Sequence, residues 1–254
     1  MTTTIAISNQ KGGVAKTTTC LSLGACLAEL GHSVLLIDLD PQAHLTASLG
    51  VEPEKVYRSV ADALLGNASL VSVSRETSIP GLDLAPANQG LALIDKVLYG
   101  NAGYEYRLAR RLELVDRDLY DFILIDCAPA FGSITLNAMT AADVLLIPTQ
   151  CEYYAARSLR RVLGLARLVQ QKTNPGLKYR LLVTLYDQRN RICRLILEQL
   201  QRELSQVMFE TVIEVDTKLR ESPAYAQPIT LYAPNTRGAE QYRALAREVM
   251  SNGR

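Results

Sequence analysis

Tryptophan is absent from this 254-residue chain, phenylalanine occurs three times, and aromatic residues make up only 6% of it. A core must therefore be aliphatic, and a hydrophobic content of 48% supplies enough Leu, Ile, Val and Ala to fill a sizeable one. Histidine occurs twice, as His32 and His44, too rarely for a typical zinc site. The five cysteines, Cys20, Cys26, Cys127, Cys151 and Cys193, contain no C-x-x-C pair. An odd count without that spacing speaks against a disulfide framework and for reduced, mostly buried thiols in a cytoplasm. No basic-then-apolar leader opens the chain, and no apolar run reaches membrane-spanning length, so no membrane partner is expected. Net charge is only +1. The length suits one large α/β domain.

What is present is concentrated in one stretch, Ser8-Asn9-Gln10-Lys11-Gly12-Gly13-Val14-Ala15-Lys16-Thr17-Thr18-Thr19. It follows a short apolar strand, Thr4 to Ile7, and precedes an apolar-periodic run, Cys20 to Leu30. Strand, glycine turn and helix start point backbone N–H groups at one place, and phosphate is the natural guest. Lys16 is placed to reach the β and γ phosphates and Thr17 to put a hydroxyl on Mg²⁺. The ordinary phosphate-loop pattern requires glycine where Gln10 and Ala15 stand. Lys-Gly-Gly-x-x-Lys-Thr remains, with an additional lysine, Lys11. A tight strand–helix turn with incidental lysines would leave two lysines in one turn unexplained.

Two further strands end in acids. Ser33 to Asp40 reads as a buried strand closed by Pro41. Asp38 and Asp40, two apart, leave the same side of its end. Open α/β sheets bind ligands at that edge, so one of the two acids is placed to orient a water or the magnesium shell. Tyr120 to Asp126 is a second such strand, with Asp126 expected to hold Thr17 or a magnesium-bound water. Basic residues are unevenly spread: between Arg157 and Arg194 there are ten Lys or Arg and one acid, Asp187. Arg189, Arg191 and Arg194 crowd a helix start, where cations oppose the helix dipole, so an outside anion is implied.

These motifs resemble the deviant P-loop ATPases that include the ParA/Soj partition proteins, MinD and the nitrogenase iron protein. The specific marks lie at 9 to 19, 38 to 42, 121 to 129, 148 to 154 and 216 to 247. The resemblance implies a single-domain P-loop NTPase fold over residues 1–254, α/β, with a mostly parallel central sheet and helices on both faces. It implies slow Mg-ATP hydrolysis that times an ATP-dependent homodimer. Gly12, Gly13, Val14, Ala15, Lys16, Thr17 and Thr18 would hold the nucleotide. Thr17, Asp126 and Asp40 would serve the magnesium shell, and Asp40 would position the attacking water. Lys11 would be the signature lysine that reaches across a nucleotide-sandwich dimer, with Glu152 facing the partner subunit's nucleotide. Ala15 stands where glycine is more usual, and its methyl is acceptable if the backbone there is helical. Non-specific DNA binding is implied for Arg189, Arg191, Arg194, Lys218 and Arg220, the last two in a loop. A ParB-like protein would stimulate hydrolysis, and the location would be cytoplasmic and nucleoid-associated. The cluster cysteines of the iron-protein relatives have no counterpart in spacing. Nor is there room for the amphipathic tail of MinD-type relatives after the last helix, or for a helix-turn-helix region before the first strand.

Elsewhere helices are expected at Ser59–Leu65, Gly90–Leu98, Tyr106–Leu114, Leu136–Ala142, Ala155–Gln171, Ile192–Gln206 and Gln241–Met250. Strands are expected at Leu82–Ala87, Val144–Pro148, Tyr179–Leu185 and Val212–Val215. Three rival functions stay open: a ParA-like positioner of a non-DNA cargo such as a protein compartment or chemoreceptor cluster, a metabolic ATPase, kinase or synthase acting on a small molecule, and a non-hydrolysing interaction module.

Overall fold

The computed structural model describes residues 2–98, 100–116, 118–153 and 155–252. Among the described residues eight strands form one sheet: β1 (Thr3–Ile7), β2 (Val34–Leu39), β3 (Arg75–Glu76), β4 (Leu82–Ala85), β5 (Phe122–Cys127), β6 (Val144–Gln150), β7 (Lys178–Tyr186) and β8 (Met208–Glu214). Their order is β3-β4-β2-β5-β1-β6-β7-β8, and every neighbouring pair is parallel except β3 with β4. The helices are α1 (Lys16–Glu29), α2 (His44–Ala47), α3 (Val60–Leu65), α4 (Leu70–Val73), α5 (Leu91–Leu98) and α6 (Arg107–Leu112). They continue as α7 (Ser133–Ala141), α8 (Ala155–Lys172), α9 (Arg191–Leu204), α10 (Thr217–Glu221), α11 (Ile229–Tyr232) and α12 (Arg237–Asn252).

The central strands read as unbroken apolar runs because both faces are covered. In β2, Leu35 and Ile37 join Val60, Leu64 and Leu91 on one face, while Val34 and Leu36 join Leu23, Leu27 and Tyr242 on the other. Both cores are mainly aliphatic, as the scarcity of aromatics requires; Tyr242 is wholly buried and its hydroxyl meets Thr19 Oγ1 at 3.0 Å. α1 lies close on the sheet, since a Cβ at Gly24 would fall 2.7 Å from Leu36 Cδ2. α8 buries Ala155, Leu159, Val162, Ala166 and Val169, a three-and-four spacing that turns one stripe to the sheet and leaves its arginines outward. α3 begins with a reciprocal cap, Ser59 to the backbone of the first turn and Asp62 back to Ser59 N–H.

Several boundaries differ from the sequence reading. α1 starts at Lys16, four residues before its first apolar residue, because the loop sets the start and the Thr17–Thr19 turn carries no apolar signal. β8 begins at Met208 instead of Val212, since α9 stops at Leu204 and a 3-10 turn, Ser205–Val207, intervenes. Residues 217–221 are helical, not a loop, with Asp216 accepting from Lys218 N–H as the cap. β3 is a two-residue edge strand of exposed Arg75 and Glu76, invisible to an apolar pattern.

β1 lies between β5 and β6, so the chain leaving Ile7 enters the middle of the C-terminal sheet edge. Register places Ile7 beside Asp126, and Asp126 beside Asp38.

Candidate functional site

The loop after β1 runs from Ser8 to Ala15 and feeds α1 directly. The first turn of α1 has no side-chain cap and no acidic residue. Four helix N–H groups normally demand partners, so an open, uncapped start beside a glycine turn is a receptor for an anion. Gly13 has φ of 73°, and a Cβ on it or on Gly12 would meet nothing within 4 Å, so the loop's outer face is clear. Val14 points its side chain into the core, leaving only backbone for a ligand, and its carbonyl accepts from Thr184 Oγ1 at 3.0 Å.

Ala15 departs from expectation. Its backbone is left-handed, φ 64° and ψ 34°, not right-handed helical. An L-residue there carries roughly 1–2 kcal/mol of strain that glycine would not. Ala15→Gly is therefore expected to raise Tm by about 1–3 °C after allowing for glycine's greater freedom when unfolded. Thermal denaturation checks it; a fall in Tm would mean that packing of the methyl outweighs the strain.

Lys16 is 8% exposed and its Nζ donates to Lys11 O at 3.2 Å. Burial lowers its pKa, opposed by Asp126, Cys127 and Asp40 nearby. Thr17 Oγ1 donates to Asp126 Oδ2 at 2.7 Å. Asp126 is fully buried, and its other oxygen, Oδ1, has no partner among the described residues. Burial and then the charge of Asp38 push its carboxyl well above the usual carboxylate range. A buried, unpaired carboxylate oxygen beside a threonine hydroxyl fits a hard divalent cation and its water shell.

The two acids after β2 divide their work. Asp38 is enclosed: Oδ2 accepts from Thr46 N–H at 2.9 Å and Thr46 Oγ1 at 2.7 Å, and Oδ1 from Asp40 N–H at 3.1 Å. Burial lifts its pKa to about 6 despite those bonds. Asp38 thus holds α2 onto the sheet edge. Asp40 Oδ1 accepts from Gln42 N–H at 2.9 Å, and its charge reaches both Lys16 and Asp126.

Lys11 is folded onto its own chain. Its Nζ donates to Gln150 Oε1 at 2.6 Å and pairs with Glu152 Oε2. Gln150 Nε2 in turn donates to Gly13 O at 2.9 Å. Glu152 accordingly faces Lys11 of the same chain in this structure. Thr18 is half-buried in the first turn of α1. Tyr154, the last residue of the quoted 148–154 mark, lies outside the described residues.

The candidate DNA residues leave the same sheet edge from adjacent strands, joined where Val215 N–H donates to Tyr186 O at 3.0 Å. Arg189 is clasped by Asp187 through Nε and Nη2, each at 2.9 Å. That pairing holds Asp187 at about 2. Arg194 Nη1 donates to Gln188 O at 2.7 Å, and Asn190 caps α9. The crowding of cations at this helix start is thus relieved partly from within the chain. Lys218 pairs with Glu221 at 2.7 Å and lies 5.7 Å from the Tyr232 ring centroid. Arg191 and Arg220 are exposed.

Between these loops is an open cavity of about 680 Å³, lined by Tyr186–Arg189, Glu214–Thr217, Thr236 and Arg237. The sequence reading did not assign it. Nor did it assign Asn9, Gln150 or Thr184, the side chains that hold the loop. Their signal was a polar residue in or at the end of a buried strand, as in the Leu-Val-Thr-Leu run around Thr184.

Comparison with known proteins agrees with this geometry. A family model described as an AAA domain matches residues 2–179. The sporulation initiation inhibitor protein Soj of Bacillus subtilis is 43% identical over 98% of both chains. The chromosome partitioning protein ParA of Caulobacter vibrioides is 36% identical, over 98% of this chain and 94% of its own. A solved structure of a cobyrinic acid a,c-diamide synthase from Mycobacterium smegmatis, with bound ATP analogue and magnesium, is 38% identical with a TM-score of 0.85, covering 100% of this chain and 98% of its own. Loop, acids and whole-length likeness together place the chain in the ParA/Soj/MinD family of deviant P-loop ATPases.

Proposed function

We propose that the chain is a Mg-ATP-driven positioning ATPase whose ATP-bound homodimer holds DNA without sequence preference. The observation that carries this is the convergence of an uncapped helix start, two lysines of one turn and the Thr17–Asp126 pair, on the sheet edge from which the arginine-rich loops also leave. Backbone N–H groups of Gly12 to Thr18 bind the phosphates, and Lys16 carries their charge. Thr17 and Asp126 would hold magnesium, which would supply the charge that neutralises negative charge developing on the phosphates. Asp40 orients the attacking water. Lys11 and Glu152 exchange their mutual contact for contacts across the dimer. The likeness to Soj and ParA supports chromosome or plasmid DNA as cargo, with a ParB-like activator and a nucleoid location. The same machinery serves equally for another cargo, because cargo choice resides in the partner.

DNA affinity measured against salt at saturating ATP tests the reading. Phosphate contacts release counterions, so affinity should fall steeply with salt on every sequence. Arg189→Ala or Lys218→Ala should weaken binding and lower the log–log slope by roughly 1 each, with ATP affinity retained. Both side chains must first leave Asp187 and Glu221, solvent-exposed pairs that water and salt already weaken and that a DNA phosphate readily replaces. Equal slopes would move the DNA surface elsewhere. Absence of DNA binding by the unaltered chain in every nucleotide state would favour a second reading, an ATP-dependent synthase acting on a small molecule, which the likeness to the Mycobacterium smegmatis protein supports.

No described helix is long and apolar enough to cross a membrane.

A further inference from the structure

Asn9 is buried at 2% exposure, and its side chain joins three elements. Nδ2 donates to Pro148 O at 2.7 Å, which ties the loop to the end of β6. Oδ1 accepts twice, from Lys11 N–H at 3.0 Å and from Ser158 Oγ at 2.9 Å. An amide oxygen has two acceptor positions, so both are filled and the amide is locked. Ser158 lies on the first turn of α8, and one turn further Arg161 Nη1 donates to Gln10 Oε1 at 3.3 Å. Lys11 is therefore held at both ends by the segment from β6 to α8: its ammonium by Gln150 and Glu152, its backbone through Asn9 and Ser158.

We propose that Ser158 is a positioning residue for Lys11, acting through Asn9. Its hydroxyl fixes the Asn9 amide, and the amide fixes where the Lys11 backbone starts its side chain. The remaining loop N–H groups, from Gly12 onward, do not depend on this bond, so phosphate binding and Lys11 placement separate. That separation is the signature. Displacing a charged group by about 1 Å costs turnover far more than it costs binding. Ser158→Ala should bind ATP within about twofold of the unaltered chain but lose about tenfold in kcat and in ATP-dependent dimer formation. Ser158→Thr keeps the hydroxyl and should restore both.

The proposal rests on the reading of Lys11 as a group that acts on nucleotide, so the experiment is a double-mutant cycle with Lys11→Ala. Calorimetry with Mg-ATP, steady-state hydrolysis and light scattering are read for each variant, with thermal denaturation to confirm folding. Ser158→Ala added to Lys11→Ala should cost nothing further. An additive loss, or a Ser158→Ala chain as active as the unaltered one beside an impaired Lys11→Ala, overturns the role of Ser158 alone. A fully active Lys11→Ala removes the reading of Lys11, and the role of Ser158 with it. Should Ser158→Ala unfold, Ser158→Cys, which keeps the side-chain shape with a larger and weaker-donating sulfur, supplies the same comparison.

Discussion

Lys16→Ala is expected to weaken Mg-ATP binding by about 100-fold or more, the equivalent of a charge-assisted hydrogen-bonding group lost from a desolvated site. Lys16 is the buried cation of the loop, 8% exposed, and the carboxylates of Asp126 and Asp40 lie near it. Without its charge a triphosphate would approach those carboxylates with only backbone N–H groups to balance them. Lys11 is not expected to substitute, because in the proposed dimer its ammonium leaves Gln150 and Glu152 for the facing subunit. Lys16→Gln, which keeps most of the side chain without the charge, should lose nearly as much, separating charge from packing. Titration calorimetry reads both. Unchanged affinity in either would overturn the assignment of residues 8 to 19 as a phosphate loop.

The loop and the strand-end acids were legible in the sequence because they are local. Ile7, Lys16 and Thr17 stand within ten residues of one another, and Asp126 ends a run of four apolar residues. Parallel topology followed from apolar runs buried on both faces. What was not legible depends on tertiary register. Nothing near Asp38 in sequence says that Thr46 will fold back to occupy it while Asp40 stays accessible to the loop. Gln150 and Ser158 meet residues 9 to 13 only because β6 lies beside β1. The left-handed backbone at Ala15 contradicts the residue's own preference and is imposed by the turn it closes. The helix at 217–221 is too short for a periodic signal and is set by its Asp216 cap.

Asp40→Ala is expected to bind ATP nearly normally while hydrolysis falls by about 100- to 1,000-fold, the usual cost of removing a group that takes a proton from or orients the nucleophile. The three acids at this edge are distinguished by what already occupies them. Asp38 spends both oxygens on Thr46 and on the Asp40 backbone. Asp126 gives one oxygen to Thr17 and keeps the other buried, fit for the magnesium shell. Asp40 bonds the Gln42 N–H through Oδ1, and its Oδ2 has no protein partner among the described residues, so with the free oxygen of Asp126 assigned to magnesium it is Asp40 that is left to orient the attacking water. The control is Asp38→Ala. It should lose stability, because Thr46 N–H and its hydroxyl would be left buried without that acceptor, a cost of about 1–3 kcal/mol per group. Asp40→Ala should keep its Tm, and because ATP persists it should accumulate the ATP-dependent dimer seen by light scattering. Single-turnover hydrolysis with Mg-ATP decides between them. Normal turnover by Asp40→Ala, or a selective loss of turnover in a stably folded Asp38→Ala, would transfer the water-orienting role from Asp40 to another group.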